Sequence, residues 1–138
     1  MTAMQNDSIA RRLLAEGLGS TLLAATVVGS GVMAERLSGG NTGIALLANT
    51  AATVAVLATL IALLGPISGA HFNPAVSVIE AKRGRLAWRD AGLYSGIQTL
   101  GCCAGAWLAH LMFELPVCVA LHVKPDKMPE PEREAFTA

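Results

Sequence analysis

Three long, nearly uncharged runs dominate the chain, and short segments rich in charged residues or glycine separate them. The runs cover about residues 13–34, 43–64 and 91–113. Each run is longer than the roughly 20 apolar residues that an α-helix needs to cross the hydrocarbon core of a bilayer. The hydrophobic pattern therefore predicts three transmembrane helices, and the fold class that it indicates is an all-α membrane protein.

The stretch between the second and third runs interrupts this pattern. Over residues 65–77 it reads Gly-Pro-Ile-Ser-Gly-Ala-His-Phe-Asn-Pro-Ala-Val-Ser. Gly65, Pro66 and Gly69 all disfavour a helix interior, which predicts a break in the helix here. Asn73 followed by Pro74 then predicts a new helix, because Asn is a favoured N-cap and proline fits the first helical position.

This new helix is predicted to end near residue 81, because the basic turn of residues 82–89 follows it. A helix over residues 74–81 is too short to cross a bilayer. The segment is therefore predicted to enter and leave the membrane on the same side as a re-entrant half-helix. Irregular backbone persists at membrane depth only where it is buried in protein or lines a water-filled cavity. The segment therefore favours a pore.

The composition agrees with a membrane protein and argues against several classes of function. Of the 138 residues, enough for one domain, 53% are hydrophobic and 14% are charged, and the net charge is zero. A nucleic-acid partner is not expected, because the chain lacks a basic field. Cys102, Cys103 and Cys118 have no metal-ligand spacing, and the adjacent pair is interpreted as small packing residues. Because no catalytic constellation, metal spacing or phosphate loop is visible, neither an enzyme nor a cofactor nor a metal site is predicted.

The lysines and arginines indicate the orientation of the spans. Six of them lie near span ends on one side, and Arg36 lies on the other; the six are Arg11, Arg12, Lys82, Arg83, Arg85 and Arg89. Basic residues concentrate on the cytoplasmic side of membrane proteins. We therefore expect a multi-pass protein of the inner or plasma membrane with a cytoplasmic amino terminus. The aromatic residues expected to anchor the spans at the interfaces are Trp88, Tyr94 and Trp107. Residues 117–138 are charged and proline-rich, which predicts a disordered tail.

Two short motifs resemble the aquaporin and aquaglyceroporin family, the major intrinsic proteins. Residues 68–76, Ser-Gly-Ala-His-Phe-Asn-Pro-Ala-Val, resemble the first Asn-Pro-Ala box of that family. Residues 15–20, Ala-Glu-Gly-Leu-Gly-Ser, resemble the signature of its first helix. The resemblance implies that residues 1–116 form the amino-terminal half of an inverted-repeat channel fold, with three spans and one half-helix.

The resemblance also implies passive transport of water or of small neutral solutes such as glycerol or metalloid hydroxides. Asn73, Pro74 and Ala75 would lie at the centre of the pore. There the asparagine amide donates hydrogen bonds, and the positive end of the half-helix repels cations. The backbone carbonyl oxygens expected to line the lumen as acceptors are those of Gly69, Ala70 and His71.

Two further residues have roles implied by the family, each with an open alternative. Glu16, within the first span, is expected to accept hydrogen bonds from the loop at Ser68–His71 and to hold its shape. The alternative is an interfacial carboxylate that snorkels to water. Thr53 falls where relatives carry an aromatic residue of the selectivity filter, so a threonine there implies a wider and more polar constriction. The alternative is that Thr53 only packs against a neighbouring helix.

The resemblance covers only half of a family member. A second Asn-Pro-Ala box, the filter arginine beside it and three further spans have no counterpart in the sequence. We expect a truncated or frameshifted product; the alternatives are a pore completed by a second, antiparallel copy or by a partner that carries the missing half. The expected partners are the lipid bilayer, a small neutral solute, and either the chain itself or a full-length or complementary aquaporin-like subunit. The alternative function is a truncated, non-conducting membrane interaction module that associates with full-length relatives through its small-residue faces.

Overall fold

The computed structural model describes residues 8–114, and within that range four α-helices are joined by short turns. The helices are α1 (Ile9–Leu37), α2 (Thr42–Ser68), α3 (Pro74–Lys82) and α4 (Trp88–Met112). The predicted all-α fold, with one short helix between longer ones, is confirmed. The predicted tail, residues 117–138, lies outside the described residues.

The long helices mostly extend beyond the predicted spans by up to one turn. α1 has 29 residues and α2 has 27, and both are long and apolar enough to cross a membrane. α4 has 25 residues, which is a sufficient length. Its most hydrophobic 18-residue segment is less hydrophobic than those of α1 and α2, because α4 contains polar residues such as Gln98 and His110.

α2 continues further than the sequence pattern predicts. It passes through Gly65 and Pro66 and ends at Ser68. Gly69 then adopts the left-handed conformation with φ 95°, and its N–H closes the last turn on the carbonyl oxygen of Gly65 at 2.9 Å. Proline removes only one hydrogen bond, which is tolerated within the last turn, whereas a left-handed glycine ends a helix. The break therefore lies at Gly69 rather than at residue 65.

α1 is the central helix of the described chain. It packs against both α2 and α4, and α3 packs against α4. Glycines bring α1 and α4 close together: a Cβ added to Gly101 would lie 2.6 Å from the carbonyl oxygen of Gly17. A Cβ added to Gly105 would collide with the carbonyl oxygen of Thr21. Such small residues permit the close helix contacts that stabilise helix pairs in lipid.

Large apolar side chains on α2 and α3 have no cover from other described residues. Leu46, Leu47 and Leu63 of α2 are about two-thirds exposed, and Val78 and Ile79 of α3 are also exposed. Apolar surface of this extent requires lipid or further protein around it.

Candidate functional site

The backbone between α2 and α3, which we call the 69–73 loop, is irregular. Gly69, Ala70 and Phe72 have positive φ values of 95°, 51° and 49°. The left-handed conformation costs a residue with a side chain roughly 1–2 kcal/mol. Ala70 and Phe72 can keep this conformation only because surrounding groups hold the loop.

Four hydrogen-bond donors surround the carboxylate of Glu16, which α1 places beside the loop. Oε1 accepts from Ser68 Oγ at 2.6 Å and from the backbone N–H of His71 at 3.0 Å. Oε2 accepts from the backbone N–H of Phe72 at 2.7 Å and from the side-chain amide of Gln98 at 2.8 Å. Glu16 has no exposed surface. A buried carboxylate is costly unless its oxygens are paired, and these donors provide that pairing.

A second set of contacts joins the end of α2 to α4 and α1. The hydroxyl of Tyr94 donates to the carbonyl oxygen of Ser68 at 2.9 Å and accepts from Arg12 Nε at 2.9 Å. Arg12 also forms an ion pair with Asp90 at 3.2 Å. Tyr94 has no exposed surface. The expectation that Tyr94 anchors the span at the interface is therefore wrong, because its hydroxyl is used inside the protein.

The side chain of His71 connects the loop to α3 and α4. Its Nδ1 lies 3.0 Å from Ser77 Oγ, and its ring meets the Tyr94 ring edge-on, with centroids 5.4 Å apart. Gln98 Nε2 donates to Ser77 Oγ at 3.1 Å as well as to Glu16. His71, Ser77, Gln98 and Glu16 therefore form one continuous polar network.

The ring of Phe72 fixes the loop against α1. Phe72 is 4% exposed, and a Cβ added to Gly19 would collide with its ring. A glycine at position 19 therefore provides the space that the ring occupies. Because the ring holds the residue whose N–H binds Glu16, the apolar and polar contacts support the same backbone conformation.

Asn73 forms the exposed tip at the start of α3. Its Oδ1 accepts from the N–H of Ala75 at 2.9 Å, and Pro74 occupies the first helical position. The amide nitrogen of Asn73 donates to no described residue. Likewise, no donor within residues 8–114 binds three carbonyl oxygens of the loop, those of Gly69, Ala70 and His71. Within residues 8–114, these groups therefore have no hydrogen-bond partner.

Thr53 lies apart from this network, half-buried on α2. Its hydroxyl makes no hydrogen bond with any described residue, whereas Thr50 and Thr59 each donate to the carbonyl oxygen four residues earlier. Asn49, one turn before Thr53, accepts from Ser30 Oγ of α1 at 2.8 Å. The described contacts do not connect Thr53 with the Glu16 network.

The α4 side of the network was not predicted from the sequence. Tyr94 and Gln98 are four residues apart, so they lie on one face of α4. Gln98 is fully buried, and a polar side chain such as glutamine is not expected on a helix face that contacts lipid. The glycines at 101 and 105 continue the same face. A polar pair in line with a small-residue face was the signal that could have identified these residues. Ser77 gave no comparable signal.

The described residues contain no cluster for metal chemistry. Within residues 8–114, no group of three or more His, Cys, Asp or Glu side chains could hold a metal ion. Cys102 and Cys103 are free thiols on α4. The side-chain amide of Asn73 and the carbonyl groups of the 69–73 loop are neutral donors and acceptors.

Comparison with known proteins identifies relatives across most of the chain. The family model described as major intrinsic protein matches residues 3–130. The aquaglyceroporin AqpS of Rhizobium meliloti is 54% identical over 113 residues, which cover 82% of this chain and 48% of that protein. Human aquaporin-9 is 39% identical over 72% of this chain and 33% of its own length.

A probable glycerol uptake facilitator of Thermotoga maritima is 36% identical over 104 residues, 72% of this chain and 43% of that protein. The chain thus spans between a third and about half of the length of these curated relatives. No solved structure gives a significant match.

Proposed function

The chain belongs to the major intrinsic protein family, and we propose that it forms half of the wall of a passive membrane channel for water or small neutral solutes. Proteins of this family are transporters rather than enzymes. The family and the two apolar helices α1 and α2 together place the chain in a membrane.

The observation that carries the proposal is the set of unused polar groups around Asn73. The side-chain amide of Asn73 and the three loop carbonyl groups have no partner among the described residues, while the loop that bears them is firmly held. Polar groups inside a membrane protein ordinarily find partners. A solute that passes the loop would supply them, because it can accept from Asn73 and donate to the carbonyl oxygens.

The same arrangement would favour neutral solutes over cations. α3 begins at Asn73–Pro74, so the partial positive charge of its amino-terminal end lies beside the exposed amide. Hydrogen-bonding groups can replace the hydration of a water molecule or a polyol, but they would not compensate a cation at the positive end of a helix. In this proposal Glu16 keeps the loop in shape, and Ala75 leaves space for another backbone to approach Asn73.

Light-scattering measurements on proteoliposomes test the channel. We expect purified chain to raise the permeability of vesicles to water or glycerol above that of empty vesicles, and Asn73→Asp to lower it at least about tenfold. Asp is also a good N-cap, so α3 should still form. The matched control is Asn41→Asp: Asn41 is the N-cap of α2, outside the loop, and its Oδ1 accepts from the N–H of Ile44 at 3.2 Å. Wild-type vesicles that behave as empty vesicles would contradict a pore formed by the chain alone, and equal effects of the two substitutions would contradict a pore at Asn73.

The hydroxyl of Thr53, which has no hydrogen-bond partner among residues 8–114, supports a role in solute selection. We propose that Thr53 lines a constriction wide enough for glycerol or a metalloid hydroxide. The names of the aquaglyceroporin AqpS and of the Thermotoga glycerol uptake facilitator agree with a glycerol-sized solute. Thr53→Phe should then reduce glycerol permeability more than water permeability. Thr50→Phe is the matched control, because Thr50 is exposed on the same helix and bonds its own backbone. A parallel loss of both permeabilities would contradict the assignment.

The uncovered apolar surface of α2 and α3 supports completion of the pore by further protein. The proposed complement is a second copy of the chain or a complementary aquaporin-like subunit, placed so that it faces Asn73 and Ala75. Crosslinking of an Ala75→Cys variant in vesicles tests this idea, with Cys102, Cys103 and Cys118 replaced by alanine. Crosslinked dimers support self-association, whereas their absence in conducting vesicles would exclude a second copy at this position.

The same uncovered surface also favours a second candidate function. The chain could act as a non-conducting membrane module that associates with full-length relatives through its helix faces. Vesicles without added permeability, combined with co-purification of the chain with a tagged full-length aquaglyceroporin, would support this role. Conduction by the purified chain alone would exclude it.

A further inference from the structure

One end of the described chain carries a basic surface that the transport proposal does not use. The surface combines the first turn of α1 with the turn between α3 and α4, and we call it the basic collar. Its cations are Arg11, Arg12, Lys82, Arg83, Arg85 and Arg89. The ion pair between Arg12 and Asp90 and the bond between Arg12 and Tyr94 bring the two segments together.

The carboxylates at this end offset only part of the positive charge. Glu80 pairs with Arg83 at 3.4 Å and with Arg85 at 3.3 Å, and Asp90 pairs with Arg12. Even without Arg11, five cations against two carboxylates among the described residues leave an excess of three positive charges. Arg83 and Arg85 remain more than half exposed despite their pairs, and Lys82 and Arg89 are exposed as well. The collar therefore presents a net positive surface.

Apolar side chains border the collar directly. Trp88, the residue before Arg89, is 62% exposed, and Leu14, two residues after Arg12, is 71% exposed. Indole side chains concentrate at the level of lipid headgroups. α4 also begins at Trp88 without a side-chain cap, so its first N–H groups are not occupied by a capping side chain. Cations beside exposed apolar side chains match a lipid, which joins an anionic headgroup to acyl chains, better than they match a soluble anion.

We propose that the basic collar binds the phosphate headgroups of anionic phospholipids. Clusters of lysine and arginine beside transmembrane helices attract anionic lipids, and the attraction declines within a Debye length. Lys82 and Arg89 supply charge that is not committed to an ion pair in the described structure, while Arg83 and Arg85 share Glu80. The bound lipids would form an anionic ring around this end of the protein.

Tryptophan quenching by brominated lipids tests the proposal in vesicles of the full chain. Trp107→Phe leaves Trp88 as the single reporter beside the collar, because the chain has two tryptophans. Brominated phosphatidylglycerol and brominated phosphatidylcholine are compared at equal mole fraction. We expect a preference of about three- to tenfold for the anionic lipid at Trp88. Lys82→Gln combined with Arg89→Gln should reduce it to about twofold or less, and about 0.5 M salt should weaken it in the parent protein.

Three controls separate the collar from general effects. Lys82→Arg combined with Arg89→Lys keeps the charge and should keep the preference. Arg36→Gln, at the opposite end of α1, should also keep it. Trp88→Phe leaves Trp107, 19 residues further along α4, and this reporter should show little preference.

Equal quenching by both lipids at Trp88 would overturn the proposal, as would a preference that survives the double glutamine variant. In a last experiment, inorganic phosphate is added to the vesicles as a competitor. If phosphate abolishes the preference and chloride at the same ionic strength does not, the collar is a site for a soluble anion, and the lipid assignment is wrong.

Discussion

At the scale of single residues, one carboxylate, that of Glu16, accepts hydrogen bonds from Ser68, His71 and Phe72. The backbone N–H groups of His71 and Phe72 point toward Glu16 because Ala70 and Phe72 have left-handed φ values. The carboxylate supplies two oxygens that each accept two hydrogen bonds, which neutral side chains cannot match. The left-handed backbone aims the N–H groups at Glu16, and the hydrogen bonds to Glu16 in turn favour that backbone conformation.

Glu16→Gln should destabilise the protein by about 2–4 kcal/mol, because one oxygen becomes an NH₂ donor that faces the donors of the loop or of Gln98. The measurement is reversible unfolding in detergent micelles. Glu35→Gln is the control: Glu35 is exposed near the other end of α1, and its replacement should change stability by less than about 0.5 kcal/mol. Equal stability of the two variants would show that the negative charge does not hold the loop.

Gly19→Ala should cost about 1–3 kcal/mol, since the added methyl group collides with the ring of the buried Phe72. Gly96→Ala is a matched change on α4, where a Cβ meets nothing within 4 Å. That substitution should be neutral or stabilising by up to about 1 kcal/mol, because alanine favours a helix over glycine. The midpoint of thermal unfolding in micelles should therefore fall for Gly19→Ala and stay the same or rise for Gly96→Ala. An equal fall for both variants would refute the packing account.

At the scale of helices, the close contact of α1 with α4 sets the position of the loop. Glu16 and Gly19 come from α1, while Tyr94 and Gln98 come from α4. The loop contacts both helices, so their separation determines whether all the hydrogen bonds can form at once. Glycines on α4 decide that separation, because their Cα atoms face the backbone of α1.

Gly105→Ala should separate α1 from α4 and destabilise the fold by more than about 2 kcal/mol. The added Cβ collides with the carbonyl oxygen of Thr21 and would lie 2.9 Å from the backbone nitrogen of Ala25, and backbone atoms cannot move aside as a side chain can. Gly92→Ala, with open space around it, is the control on the same helix. Chemical unfolding in micelles reports both changes; a Gly105→Ala midpoint as high as that of Gly92→Ala would contradict the close crossing.

At the scale of the whole molecule, the two ends of the described helices differ in the number of basic residues. The basic collar lies at the end where α1 starts and α4 starts, while Arg36 lies near the end of α1. The Lys/Arg bias predicts that the collar faces the cytoplasm and that the turn between α1 and α2 faces outward.

Cysteine labelling in intact cells checks this orientation. In a variant with Cys102, Cys103 and Cys118 replaced by alanine, Thr42→Cys should react with a membrane-impermeant maleimide. Ala87→Cys, in the basic turn, should react only after the cells are opened. Both positions are exposed, so a difference reports sidedness rather than burial. The reverse pattern would show that the charge bias does not set the topology.

Much of the architecture followed from the sequence, because long apolar runs and the Asn73-Pro74 start are local signals. α3 was predicted over residues 74–81 and covers Pro74–Lys82. The end of α2 was placed too early, since intrinsic propensity overestimates the effect of Gly65 and Pro66 in a final helical turn. The partner of Glu16 on α4, Gln98, could not be predicted, because the two residues are 82 positions apart and their contact depends on which face of α4 meets α1.

The amino-acid sequence by itself determined the class, the helices and the motif at Asn73, since each depends on hydropathy or on neighbours along the chain. Only the tertiary structure decided that Tyr94 turns inward, that Gln98 shares a carboxylate with the loop, and that Gly19 makes room for Phe72. The physical reason is distance. Hydrogen bonds and steric fit act over a few ångströms, so they depend on how helices cross, and the order of residues does not record that crossing.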